Sequence, residues 1–137
     1  MTELNTGGSC CAPTHSISDE ELISAIEFET DTRPHISLKV FDLRKSLSFY
    51  MLLFNEKPIK LKDDYAKFEL RQPPLNITLN VHKDNYDQKT EYGLQIESKG
   101  DLDEIKLRFT KANYTLKEVG ESVIINDPAG NVWEIYI

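Results

Sequence analysis

His35 and Glu134 lie near opposite ends of the chain, yet their surroundings are alike. His35 opens the run Pro34-His35-Ile36-Ser37-Leu38-Lys39-Val40, and Glu134 sits in Asn131-Val132-Trp133-Glu134-Ile135-Tyr136-Ile137, just after Asp127-Pro128-Ala129-Gly130. Apolar and polar residues alternate in both runs, so both read as strands with one face buried. The alternation leaves His35 and Glu134 on the faces turned away from the core, where an imidazole nitrogen or a carboxylate can serve as a metal ligand. A second chemical signal is the adjacent pair Cys10-Cys11. Neighbouring cysteines are too close for a relaxed disulfide. As thiolates they would chelate a soft, thiophilic ion such as As(III), Cd(II) or Hg(II), with His15 as a third donor.

The elements that must hold these residues occur twice. In the first module the strand from Pro34 to Val40 precedes a helix capped by Asp42, on which Leu43, Leu47, Tyr50, Met51 and Phe54 share one face. Three strands follow, at Pro58–Leu61, Tyr65–Leu70 and Leu75–Val81, with turns at Asp63-Asp64 and Arg71-Gln72-Pro73-Pro74. The second module opens on a strand with Tyr92, Leu94 and Ile96 toward the core and Glu91, Gly93 and Gln95 outward. Asp101 with Glu104 predicts the start of a helix carrying Leu102, Ile105, Phe109 and Ala112. Strands at Thr115–Val119, Ser122–Asn126 and Val132–Ile137 complete it. Placing Arg71 on Asp127 matches Ile77 with Trp133, Thr78 with Glu134 and Leu79 with Ile135; placing His35 on Glu91 matches Leu38 with Leu94. The fold class expected is therefore α+β: two tandem βαβββ modules, at about 34–82 and 90–137. Residues 1–33 read as a flexible tail plus a short helix with a Ser18/Glu21 capping box and a Leu22, Ile23, Ile26 stripe.

With 137 residues the chain has room for one such domain, and its formal charge of −7 argues against a nucleic-acid partner. No apolar run reaches the length of a membrane span, the polar start has no secretory h-region, and the cysteine usage suits a reducing compartment. These readings point to a cytoplasmic protein with neither a nucleic-acid nor a membrane partner.

His-x-x-Leu-x-Val-x-Asp-Leu…Ser-x-x-Phe-Tyr, from His35 to Tyr50, and Asp-Pro-x-Gly-Asn-x-Trp-Glu, from Asp127 to Glu134, resemble the first strand-helix and the last strand of the vicinal oxygen chelate superfamily. That superfamily includes glyoxalases, extradiol dioxygenases, and fosfomycin and bleomycin resistance proteins. The segments Phe49-Tyr50-x-x-Leu53-Phe54, Asp64-Tyr65-Ala66-Lys67-Phe68 and Pro74 to Val81 are most similar to its branch of cadmium-induced proteins and organoarsenical carbon–arsenic lyases. The resemblance implies that each module forms a cupped mixed sheet, that the two line one cavity for a small-molecule substrate, completed within a monomer or across a homodimer, and that ligand positions lie on the first and fourth strand of each module, here His35, Thr78, Glu91 and Glu134. Thr78 is a poor ligand, which leaves an open position and a triad of His35, Glu91 and Glu134. One histidine with two carboxylates suits Fe(II) first, and also accepts Mn(II), Ni(II) or Co(II). Were no metal bound, Lys39 on the His35 face would be the natural counter-charge for the glutamates.

Three departures from the branch stand out. Glu91 replaces its usual histidine. The hairpin Glu118-Val119-Gly120-Glu121-Ser122 lacks the adjacent cysteines that the lyases carry there. The adjacent cysteines instead occur in the N-terminal extension. The implied activity is cleavage of the carbon–arsenic bond of a trivalent organoarsenical by a non-haem metalloenzyme, with His35 and Glu134 as the catalytic pair. Cys10 and Cys11 would hold the arsenic, and Asn76, Thr78, Asn80 and Gln95 would line the substrate position, with Ser37 beside them. The alternative is a non-catalytic binding protein that sequesters a thiophilic metal or a small toxic molecule.

Overall fold

The structure, a computed structural model, describes residues 32–83 and 89–137. The expected tail, its short helix, Cys10, Cys11 and His15 lie outside the described residues, as does the middle of the inter-module linker. The described chain runs β1 (His35–Val40), α1 (Leu43–Phe54), β2 (Lys60–Lys62), β3 (Tyr65–Leu70), β4 (Leu75–Val81), β5 (Glu91–Gln95), α2 (Lys99–Lys111), β6 (Lys117–Val119), β7 (Ser122–Asn126) and β8 (Val132–Tyr136). Each βαβββ unit makes one four-stranded mixed sheet, ordered β1-β4-β3-β2 in the first module and β5-β8-β7-β6 in the second. In both, the strand before the helix lies parallel to the last strand of its unit, and the other pairings are antiparallel.

The helix of each module is needed to cross from the first strand to its parallel partner, and it covers the inner face of the sheet. In α1 the Asp42 side chain accepts from the Lys45 amide at 3.1 Å, satisfying one of the donors a helix start leaves open. Phe49 and Leu53 are buried beside the predicted Leu43, Leu47, Tyr50 and Phe54 stripe, so the apolar face is broader than predicted. At the other end Asn55 takes the left-handed conformation, φ 55°, and its amide returns to the Met51 carbonyl. The next orphan carbonyls are met from the second module: Arg108 of α2 donates Nε to Leu52 O at 2.7 Å and Nη2 to Leu53 O at 3.3 Å. Burial of that guanidinium lowers its pKa, with the nearby Glu104 opposing.

Helix α2 starts earlier than predicted from Asp101. Its cap is Ser98, whose Oγ accepts from the Asp101 amide at 3.2 Å, so Asp101 stands in the first turn and Glu104 within the helix body. The sequence Ser98-Lys99-Gly100-Asp101 supplies a capping pair three residues upstream. Three strands also differ at their starts: β1 begins at His35, not Pro34, β2 at Lys60, not Pro58, and β6 at Lys117, not Thr115.

Both sheets turn their inner faces onto one continuous core. Leu38, Val40, Ala66, Phe68, Ile77 and Leu79 come from the first sheet, and Leu94, Val123, Ile125, Trp133 and Ile135 from the second. Phe49 of α1 packs on Phe109 of α2 (ring centroids 5.2 Å apart), and Trp133 of β8 meets Tyr50 edge-on and stacks on Tyr92. These rings join the modules through apolar area and favourable edge and stacked geometries. No described helix is long and apolar enough to cross a membrane.

Candidate metal centre

A buried polar knot under the sheets fixes the last strand. Asp127, 4% exposed, accepts on Oδ1 from the amides of Ala129 and Asn131 (2.9 and 2.8 Å), which folds Asp127-Pro128-Ala129-Gly130 into its turn. On Oδ2 it accepts from Asn131 Nδ2 at 2.9 Å and from the Tyr50 hydroxyl at 2.5 Å. That hydroxyl in turn accepts from Trp133 Nε1 at 3.0 Å. Burial, and then the adjacent Asp127 charge, raises the Tyr50 pKa well above the ordinary tyrosine value, so the phenol stays protonated as a donor. Tyr50 and Asp127 both stand in the motifs noted above, but nothing in their spacing tells that they meet. The turn completes with Gly130 at φ +93°, a conformation suited to glycine. Trp133 is thereby held inward, and alternation sends Glu134 outward.

The register then sets out two half-sites. On the first sheet His35 pairs with Asn76 and Ser37 with Thr78, so His35 and Thr78 are diagonal neighbours on the outer face. They touch: His35 Nε2 lies 3.2 Å from Thr78 Oγ1. On the second sheet Glu91 pairs with Val132 and Gly93 with Glu134, which gives Glu91 and Glu134 the same diagonal relation. His35, Glu91 and Glu134 are all exposed, while Thr78 is buried. Glu134 borders an open cleft of about 670 Å³, lined also by Gly93, Glu121, Ser122, Tyr136 and Ile137. Tyr136, Glu121 and Ser122 were not anticipated; the alternation that turns Glu134 outward also turns Tyr136 outward. The Tyr136 ring lies over Gly93, where an added Cβ would meet it at 3.4 Å.

The predicted lining residues divide. Asn76 has its Oδ1 engaged by Arg33 Nη1 at 3.0 Å, and Arg33 also donates to the Leu70 carbonyl. Asn80 donates to Ser37 Oγ at 2.8 Å and Thr78 Oγ1 at 3.2 Å. Gln95 lies on the outer face of the second sheet, across from Tyr136. Lys39 stands across from Asn80, on the first sheet and so not on the sheet of the two glutamates.

Because both inner faces serve one core, the outer faces of the two sheets point away from each other. Among the described residues no three His, Cys, Asp or Glu side chains lie close enough to share one ion. The structure brings Glu91 and Glu134 together on one sheet and His35 and Thr78 together on the other. The outer faces differ in charge. The first carries Lys39, Lys60, Lys62 and Lys67 against Glu69, and Lys67 pairs with Glu69 at 3.3 Å; the second carries Glu91 and Glu134, with Lys117 on its edge strand. A neutral imidazole with two carboxylates is a donor set that fits a divalent first-row metal, given a geometry that joins the halves.

Residues 32–135 match the model of the Glyoxalase/Bleomycin resistance protein/Dioxygenase superfamily. The chain is 38% identical over 114 residues to a trivalent organoarsenical cleaving enzyme of Bacillus sp. (strain MD1), covering 74% of this chain and 70% of that one. It is 31% identical over 114 residues to the cadmium-induced protein CadI of Mycobacterium bovis, covering 77% and 75%. Among solved structures, a possible glyoxalase from Bacillus cereus shares the fold at a TM-score of 0.64 with 18% identity, covering 79% of this chain and all of the other. A mutant form of the fosfomycin resistance protein FosX from Listeria monocytogenes, complexed with Mn(II) and a dihydroxypropylphosphonic acid, matches at a TM-score of 0.60 and 25% identity, covering 74% and 87%.

Proposed function

We propose that this chain, which belongs to the Glyoxalase/Bleomycin resistance protein/Dioxygenase superfamily, is a divalent-metal enzyme that cleaves the carbon–arsenic bond of trivalent organoarsenicals in the cytoplasm. The observation that carries the reading is the matched pair of half-sites, His35 with Thr78 and Glu91 with Glu134, set at one register on two sheets. The likeness to the organoarsenical cleaving enzyme of Bacillus sp. favours this substrate class over others in the superfamily. His35, Glu91 and Glu134 would hold the metal, Fe(II) by preference, and the metal would supply the oxygen chemistry when bound.

The halves meet across two copies of the chain. The outer face of the first sheet, rich in lysine, docks on the carboxylate face of the partner's second sheet, and the two-fold operation makes a second identical site. Each site then draws His35 from one copy and Glu91 and Glu134 from the other. Facing sheets would also exclude water from the cleft beside Glu134. Cys10 and Cys11 would supply the soft donors for As(III). Asn76 and Gln95 offer polar contacts at the rim.

The test is metal content of the full chain purified anaerobically without chelator, beside His35→Ala, followed by organoarsenical turnover under oxygen. Near-stoichiometric Fe, Mn, Ni or Co that is lost in the variant, with turnover lost in parallel, is the expected result. A parent that takes up no metal on reconstitution would overturn the reading. Retention of arsenic protection by His35→Ala but not by Cys10→Ser/Cys11→Ser would leave a sequestering protein instead.

A further inference from the structure

Asn80 sits at the head of a polar chain on the outer face of the first sheet. Its Nδ2 lies 2.8 Å from Ser37 Oγ, 3.2 Å from Thr78 Oγ1 and 3.5 Å from the Leu38 carbonyl oxygen. The nearby Leu38 carbonyl fixes which way the amide points, because the amide oxygen turned that way would face another acceptor. Two N–H bonds are available and the two hydroxyls are the nearer partners, so Thr78 Oγ1 accepts a hydrogen bond from Asn80. Thr78 is 4% exposed, which leaves little water for its own hydroxyl proton. The acceptor at hand is His35 Nε2, 3.2 Å away.

We infer that Asn80 acts through Thr78 as a positioning residue that fixes the tautomer of His35. Asn80 donates to Thr78, Thr78 donates to His35 Nε2, and the ring proton is therefore carried on Nδ1. A neutral histidine has one donor and one acceptor nitrogen, and the partner of one decides the other. The nitrogen left with the lone pair is the one turned toward Thr78, the residue that takes the place of Glu134 in the other half-site. The role assigned rests on the metal reading above, in which Nε2 must be free of hydrogen to bind the ion; the tautomer itself does not. Thr78 holds that lone pair in the metal-free chain and gives it up when an ion binds. This also gives Asn80 a task within the protein in place of contact with substrate.

The test is nitrogen NMR of the full chain, labelled at histidine and stripped of metal, at about pH 8.5, well above the ordinary imidazole value. The His35 signals are those that vanish in His35→Ala. In the parent, Nε2 is expected at an unprotonated, pyridine-type shift and Nδ1 at a protonated, pyrrole-type shift. In Asn80→Asp the introduced carboxylate accepts the Thr78 proton, Thr78 becomes an acceptor for the ring, and the two His35 shifts exchange. Thr78→Ser, which keeps the hydroxyl, retains the parent pattern. A parent ring protonated at Nε2, or a pattern unchanged in Asn80→Asp, overturns the inference. Mn(II) added to the parent separates the two readings: His35 signals broadened beyond detection support the metal site, and signals left sharp refute it while the tautomer result stands.

Discussion

Removing one oxygen from the buried knot tests whether it ties the modules together. In Tyr50→Phe the ring stays, fully buried against Phe49, Phe54 and Trp133. Two hydrogen bonds go. The bond to Asp127 Oδ2 at 2.5 Å is to a carboxylate and is worth about 1.5–3 kcal/mol net. Loss of the 3.0 Å bond from Trp133 Nε1 leaves a buried donor unmet, at about 1–3 kcal/mol. Asp127 keeps its three donors from Ala129 and Asn131, so it is not stranded, and burying a phenyl in place of a phenol offsets part of the loss. The net expectation is a destabilisation of about 3 kcal/mol. With a urea slope of roughly 1.5–2 kcal/mol per molar, the unfolding midpoint falls by about 1.5–2 M. The assay is urea unfolding read by Trp133 fluorescence and by circular dichroism, with coincident transitions as the check on two-state behaviour. Asp127→Asn and the double variant complete a cycle. A coupling of at least about 1 kcal/mol between the two positions is expected. Single effects that add within about 0.5 kcal/mol, or a midpoint shift below about 0.5 M, would refute the claim that this bond joins helix α1 to the last hairpin.

Alkaline stability follows from the same residue. The folded-state pKa of Tyr50 lies above its unfolded value of about 10, so the unfolded chain releases its proton first and stability, full below pH 10, declines as pH rises beyond it. Tyr114, raised by burial, acts in the same direction, and Tyr50→Phe should flatten the decline between about pH 10 and 12 without abolishing it. A site shared between copies predicts complementation: His35→Ala and Glu134→Ala, each metal-free alone, should on mixing and re-equilibration recover about a quarter of the parent's metal, since half the dimers are mixed and each holds one intact site. No recovery, with exchange of subunits verified by mass spectrometry, would refute the shared site. Arg108→Met should cost about 1.5–3 kcal/mol in thermal or urea unfolding, because it leaves the Leu52 and Leu53 carbonyls at the end of α1 without their charged donor. Gly120→Ala in the β6–β7 turn should cost about 1 kcal/mol from its φ of +60° alone, as no atom crowds the added methyl, and Gly120→Asn should cost less.

How far the sequence reached can be judged element by element. Period-two alternation in Ile36, Leu38 and Val40, and in Trp133 and Ile135, determined which side chains face the core, and so determined that His35 and Glu134 face outward. That inference needs only the pleat and a water-avoiding face. The internal match of the two modules likewise determined the register of the half-sites: Thr78 falls where Glu134 does, and the diagonal relation is the same on both sheets. Caps were legible where a single residue competed, as at Asp42. They were misread by one turn where Ser98 and Asp101 both qualified, because choosing between two caps depends on where the helix docks.

Other features depended on contacts between residues distant in the chain, to which local periodicity is blind. The bonds of Tyr50 to Asp127 and Trp133 span the two modules. The contacts of Asn80 with Ser37 and Thr78 depend on which side-chain atoms come within reach. Above all, alternation pointed to three candidate ligands but could not say that one core would take the inner faces of both sheets. That packing turns the outer faces apart, and so separates His35 from Glu91 and Glu134 within the chain. Which residues can bind is written in alternation and residue type; which of them can meet is decided by how the sheets share a core.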